Sequence, residues 1–105
     1  MPETWIDAGD AGALPLADVV RFDHGDRTFA LYCTTDGRIF ATDGLCTHAK
    51  VHLAGGFVMD DVIECPKHNG RFNFTTGQAL GAPVCINLKT YPVKVENGRI
   101  YLRVE

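Results

Sequence analysis

The sequence predicts an all-β protein: an antiparallel β-sandwich base carrying an inserted sub-domain. Three observations carry that reading. Helix signals are scarce, because the Ala/Leu/Pro stretch at residues 11–18 is limited to a turn or loop by Pro15. The rest of the chain breaks into short apolar runs punctuated by Gly and Asp, the pattern of a sandwich or barrel. Between two such β halves lies a segment richer in Gly, His and Asp.

In chain order, Trp5 anchors a first strand. Residues 19–22 and 28–33 flank His24-Gly25-Asp26, a hairpin turn. Asp36-Gly37 turns the chain again before residues 38–42. The middle segment holds its own small hairpin, 56–59 and 62–64 about Asp60-Asp61, and another follows around Thr76-Gly77. Residues 91–95 alternate apolar and charged side chains and read as one strand. Asn97-Gly98 then turns into the strand at 100–104.

At 105 residues the chain makes one domain, since a second core would need roughly another hundred. A formal charge of −3 disfavours nucleic acid as a partner and permits docking to a basic protein surface. No run of eighteen apolar residues is present to span a membrane. The start, Met1-Pro2-Glu3-Thr4-Trp5, has neither the basic region nor the apolar core of a signal peptide, so a cytoplasmic protein is expected. In that compartment four cysteines point to metal or catalysis rather than disulfides.

The chemistry is concentrated between Cys46 and Arg71. Cys46-Thr47-His48 is followed, after sixteen residues, by Cys65-Pro66-Lys67-His68-Asn69-Gly70. Two thiolates and two imidazoles suit zinc or an iron–sulfur cluster. Structural zinc favours paired ligands two to four residues apart, and Cys46-x-His48 is tight for chelating one ion. With two irons the strain disappears, because each loop can send its cysteine to one iron and its histidine to the other.

These two motifs resemble the cluster-binding loops of the Rieske [2Fe–2S] family. The resemblance extends to Leu53-Ala54-Gly55-Gly56, to Gly77-Gln78-Ala79-Leu80, to Pro83 in a third covering loop, and to the closing residues 88–95. Within the family the chain is most similar to Rieske-type ferredoxins of bacterial ring-hydroxylating oxygenases. The resemblance implies the Rieske iron–sulfur fold, with a cluster-binding sub-domain at roughly residues 45–83 of the single domain 1–105. It implies one [2Fe–2S] cluster per chain, with Cys46 and Cys65 on the inner iron and His48 and His68 on the outer one. Exchanging two thiolates for neutral imidazoles removes negative charge and raises the reduction potential.

The chain departs from the high-potential branch of the family, which carries a loop-to-loop disulfide and hydroxyl donors to the cluster sulfurs. The matching positions here are Val51 and Lys67, which form no disulfide, and Gly70 and Phe72, which have no hydroxyl. A potential near the low end of the Rieske range, roughly −150 mV, follows. The implied role is a one-electron carrier with no catalytic residues of its own. Its implied partners are a flavin-containing NAD(P)H-dependent ferredoxin reductase and a terminal oxygenase acting on an aromatic ring. A small carrier that meets two partners in turn is expected to be monomeric. The competing readings are a small Rieske subunit of another oxidoreductase, such as a nitrite reductase, and a zinc-stabilised binding module.

Around the motifs, Cys33 and Cys85 read as small core hydrophobes. His52 reads as a solvent-facing loop residue, with tuning of the centre as the alternative, and His24 as a turn residue. Lys50, Lys67 and Arg71 either dock an acidic partner or solvate the loop tips. Pro83 is expected as a stiff lid residue, and Gly55, Gly56 and Gly70 as backbone requirements of tight loops.

Overall fold

The computed structural model describes residues 4–47, 50–67, 69–81 and 86–104. His48, His68, Pro83 and Cys85 lie outside the described residues. Strands β1 (Trp5–Asp10), β2 (Asp18–His24), β3 (Arg27–Cys33) and β4 (Ile39–Asp43) are followed by three short strands. These are β5 (Phe57–Met59), β6 (Val62–Glu64) and β7 (Arg71–Asn73). The chain closes with β8 (Thr90–Tyr91), β9 (Val93–Glu96) and β10 (Arg99–Arg103). The Ala/Leu/Pro stretch yields only a 3₁₀ turn at Ala11–Ala13, capped by the Asp10 carboxylate on the Gly12 N–H. Among the described residues, no helix is long and apolar enough to cross a membrane.

The strands form three antiparallel sheets, ordered β1-β10-β9, β2-β3-β4-β8 and β5-β6-β7. The turns do what their residues demand. Gly25 has φ +64 at the first central position of the β2–β3 hairpin. Asn97 and Gly98, with φ 52 and 75, supply the two left-handed residues of the β9–β10 turn.

Strand β3 explains why residues 29–33 form an unbroken apolar run. Its side chains alternate between faces, yet all five are buried. Phe29, Leu31 and Cys33 enter a core with Ile6, Leu14, Ile100 and Leu102 of the base. Ala30 and Tyr32 enter a second core with Cys46, Leu53, Ile63, Cys65, Phe72 and Phe74 of the middle segment. The β2-β3-β4-β8 sheet is therefore the middle of three layers, and Cys33 is core, as its apolar context predicted.

The middle segment leaves from β4 and returns on β8, which lie side by side. Ala41 pairs with Tyr91, Thr42 with Thr90, and the Asp43 N–H donates to Lys89 O at 2.9 Å. One expectation is corrected here. Residues 91–95 do not form one strand, because Pro92 has no N–H and breaks the ladder. Tyr91 stays beside β4 in the middle sheet, while Val93 joins β10 in the outer one.

An aromatic stack joins the middle sheet to the middle segment. Tyr32 and Phe74 stack with centroids 4.4 Å apart and planes 4° from parallel. The buried Tyr32 hydroxyl donates to Thr42 Oγ1 at 2.8 Å, which in turn donates to Asp43 O. Burial holds the phenol well above its usual pKa. Phe74→Ala should destabilise the fold by about 3–5 kcal/mol through the lost ring and the cavity left against Tyr32. Urea unfolding followed by circular dichroism checks this value; a change under 1 kcal/mol would show that the stack is not what joins the layers.

Candidate metal centre

Cys46 and Cys65 stand at the tips of two loops closed in the same way. The Cys46 N–H donates to Val51 O at 2.9 Å, and the Cys65 N–H donates to Gly70 O at 2.6 Å. Each bond spans five residues. In each loop the residue before the accepting carbonyl is left-handed: Lys50 at φ 54 and Asn69 at φ 57. Asn is a usual occupant of that conformation, whereas Lys sits there at a cost of roughly 1 kcal/mol. The second loop is the connection of the β6–β7 hairpin, whose last pair is Glu64 with Arg71.

The two loops bring their cysteines together. Both residues are buried, neither is in a disulfide, and their side chains hydrogen-bond to one another. Burial pushes the Cys65 thiol up, and the adjoining Cys46 adds to that; the Lys67 N–H, donated to the Cys65 sulfur, pulls it down. Two thiols so placed ionise together only against positive charge, which metal ions supply. Soft sulfur donors adjoining in an apolar core with Leu53, Ile63 and Phe72 fit a thiolate-bound iron–sulfur group. Phe72 is fully buried and brings no hydroxyl.

A third segment closes over the first loop. Thr47 Oγ1 donates to Ile86 O at 2.8 Å, and the Ala79 N–H donates to Asn87 Oδ1 at 2.9 Å. Around the loops, Lys50 and Lys67 are exposed, and Arg71 faces Glu64 at a loose 3.9 Å.

His52 is not the solvent-facing residue the sequence suggested. It is only part-exposed and caps the 3₁₀ turn Leu53–Gly55, with Nδ1 accepting the Ala54 N–H at 3.0 Å. The ring proton therefore sits on Nε2, 2.9 Å from Thr28 Oγ1, which donates to Asp23 Oδ1 at 2.5 Å. The first loop is thus clipped to the β2–β3 hairpin. Gly44 makes room for the clip, since a Cβ there would stand 2.6 Å from His52 Nε2. Sequence reasoning missed Gly44, because its reason is a contact between segments far apart in the chain. Of the glycines expected to matter, Gly56 does: a Cβ would meet Glu64 O at 2.2 Å. Gly55 does not, having nothing closer than 3.7 Å.

His52→Ala should cost about 1–2 kcal/mol by orphaning the Ala54 N–H and removing the bond from Nε2–H to Thr28 Oγ1. Burial lowers the His52 pKa below its usual 6.5, with Arg21 adding and Asp23 opposing. Folding therefore excludes a proton. The stability this contributes is complete above the unfolded value and is lost as pH falls through the lowered folded one. Unfolding curves from pH 7.5 down to pH 5 should show stability declining, with a shallower decline in His52→Ala; identical slopes would contradict the clip.

Comparison with known proteins matches this arrangement. Residues 4–92 match the Rieske [2Fe-2S] domain. The chain is 45% identical over 105 residues to the ferredoxin component of naphthalene 1,2-dioxygenase/salicylate 5-hydroxylase systems of Ralstonia sp., covering 100% of both chains. Its fold superposes on the Sphingomonas yanoikuyae B1 ferredoxin with a TM-score of 0.90 at 32% identity, covering 97% of this chain and 100% of that one. It also superposes on a chain of the complex of reduced oxygenase and oxidized ferredoxin in carbazole 1,9a-dioxygenase. There the TM-score is 0.87 at 31% identity, over 94% of this chain and 92% of that one. With its paired buried thiols and its three-layered all-β fold, the chain belongs to the Rieske [2Fe–2S] family, and the relatives it resembles are ferredoxins, among them the ferredoxin component of a dioxygenase system.

Proposed function

We propose that Cys46 and Cys65 hold one iron of the cluster and His48 and His68 the other. The carrier then passes single electrons from a flavin-containing NAD(P)H-dependent reductase to a terminal oxygenase. The observation that carries the ligand assignment is the meeting of the Cys46 and Cys65 thiols at the tips of two identically closed loops. His48 and His68 belong to it through their places within those loops, two and three residues past the cysteines. The domain is taken as residues 1–105, with residues 45–83 as its cluster-binding part. That reading is supported by the pairing of β4 with β8, which brackets the segment.

When bound, the cluster supplies one reversible electron per encounter. The chain's residues set the conditions for it. Leu53, Ile63 and Phe72 exclude water from the thiol side, and the Lys67 N–H stabilises negative charge on the Cys65 sulfur. Gly70 and Phe72 offer no hydroxyl donor, which leaves the reduced state less stabilised than in the high-potential branch. A redox titration should give a midpoint near the low end of the Rieske range, roughly −150 mV. A midpoint above about +100 mV would contradict this account of the sulfur environment.

The partner assignment rests on the relatives, which are ferredoxin components of dioxygenase systems, and on the carbazole 1,9a-dioxygenase complex of oxygenase with ferredoxin. The carrier works as a monomer in the cytoplasm. Mixed with the reductase and oxygenase of a naphthalene dioxygenase system, the holoprotein should be required for NAD(P)H-driven hydroxylation. Equal turnover without it would refute the carrier role. Cys65→Ser should abolish bound iron and acid-labile sulfide, while Cys33→Ala, in the base core, should keep both at wild-type levels. Retention of a full cluster by Cys65→Ser would overturn the ligand assignment.

A further inference from the structure

The ten cations of the chain divide sharply by what they face. Arg21, Arg38, Arg71, Lys94 and Arg99 stand 2.9–3.9 Å from carboxylates. Arg27 and Lys89 lie against the Tyr91 ring, and Arg103 is also engaged. Among the described residues, only Lys50 and Lys67 make neither an ion pair nor a ring contact. Both are exposed, and both belong to the two thiol-bearing loops. The Lys50 N–H donates to Cys46 O at 3.0 Å, and the Lys67 N–H reaches the Cys65 sulfur. The backbones of both lysines are therefore pinned at the same end of the molecule as the paired thiols.

Three further features mark that end as a contact surface. Lys50 occupies a left-handed position where Asn, its counterpart in the second loop, would cost less. Leu45 and Ile86 are 41% and 61% exposed beside the first loop, Ile86 being tied to Thr47. The net charge of −3 includes +2 from these lysines, so the remainder carries −5. Asp60 and Asp61 sit at the opposite end of β6 from Cys65. The unpaired lysines and these two exposed apolar residues thus all lie on or beside the thiol-bearing loops, with Asp60 and Asp61 at the far end of β6.

We propose that Lys50 and Lys67 form the charged rim, and Leu45 and Ile86 the apolar centre, of a docking surface for an acidic face of the terminal oxygenase. The proposal rests on the carrier role above and adds the chemistry of the partner's surface. Opposed charges raise the rate of encounter and orient the thiol-bearing end toward the acceptor, while the apolar centre excludes water once the two meet.

The test is stopped-flow transfer from the reduced holoprotein to the oxygenase of the Ralstonia naphthalene system, with transfer from its reductase measured alongside. The wild-type rate should fall with added salt. At low ionic strength the double variant Lys50→Glu/Lys67→Glu should transfer about 10–100-fold more slowly to the oxygenase and lose the decline with salt. Lys50→Gln/Lys67→Gln should fall between the two. Iron and sulfide are assayed on every variant, so the comparison is made per cluster. An unchanged rate per cluster, a wild-type rate that rises with salt, or a slowing confined to the reductase step would overturn the surface while leaving the carrier role intact. No transfer from the wild type to the oxygenase would overturn both.

Discussion

A strand buried on both faces ties everything else in this protein together. β3 sends Phe29, Leu31 and Cys33 into the base core and Ala30 and Tyr32 into the core of the thiol-bearing layer, so it belongs to both. The stack of Tyr32 on Phe74 crosses the boundary, and the Tyr32 hydroxyl is satisfied through Thr42 to Asp43, where the middle segment departs. That junction is held from three sides. Asp43 receives the Tyr91 hydroxyl at 2.5 Å, and Arg27 donates to the same phenol at 2.8 Å. Burial and the Asp43 carboxylate raise the Tyr91 pKa to about 12, so the phenol keeps its proton and remains a donor at any physiological pH.

This rigid base matters because electron transfer asks for little rearrangement. The two loops are small, five residues from cysteine to closing carbonyl, and each is braced by a different device. The first leans on the β2–β3 hairpin through His52 and the space left by Gly44. The second needs no such clip, because it is the turn of a hairpin already paired on both sides. Two thiols from separate loops are thereby held against one another.

How much of this could be read from the residues depended on how local the cause was. The hairpins at Gly25 and Asn97-Gly98 were legible because a positive φ demands those residue types at those places. The cysteine motifs stood out because metal chemistry restricts ligand type and spacing, and the structure brings Cys46 and Cys65 together. The break at Pro92 had its signal in the sequence, but the alternation of residues 91–95 masked it. Placing Tyr91 and Val93 in different sheets required knowing where β4 and β10 lie. His52 and Gly44 were illegible for a deeper reason. Their roles come from Thr28 and the hairpin around it, residues distant in sequence, and His is not among the usual capping residues. The matched closure of the two loops is written in backbone bonds, to which only Asn69-Gly70 gave a side-chain clue.

The central claim is that two cysteines and two histidines share one two-iron cluster. Electron paramagnetic resonance of the dithionite-reduced protein, with iron, sulfide and zinc assayed on the same sample, tests it most directly. Mixed ligation predicts a rhombic signal whose average g lies clearly below that of all-cysteine [2Fe–2S] ferredoxins, with iron and acid-labile sulfide in equal amounts. A silent sample containing stoichiometric zinc and no sulfide would contradict the account and leave a metal-stapled β domain in its place.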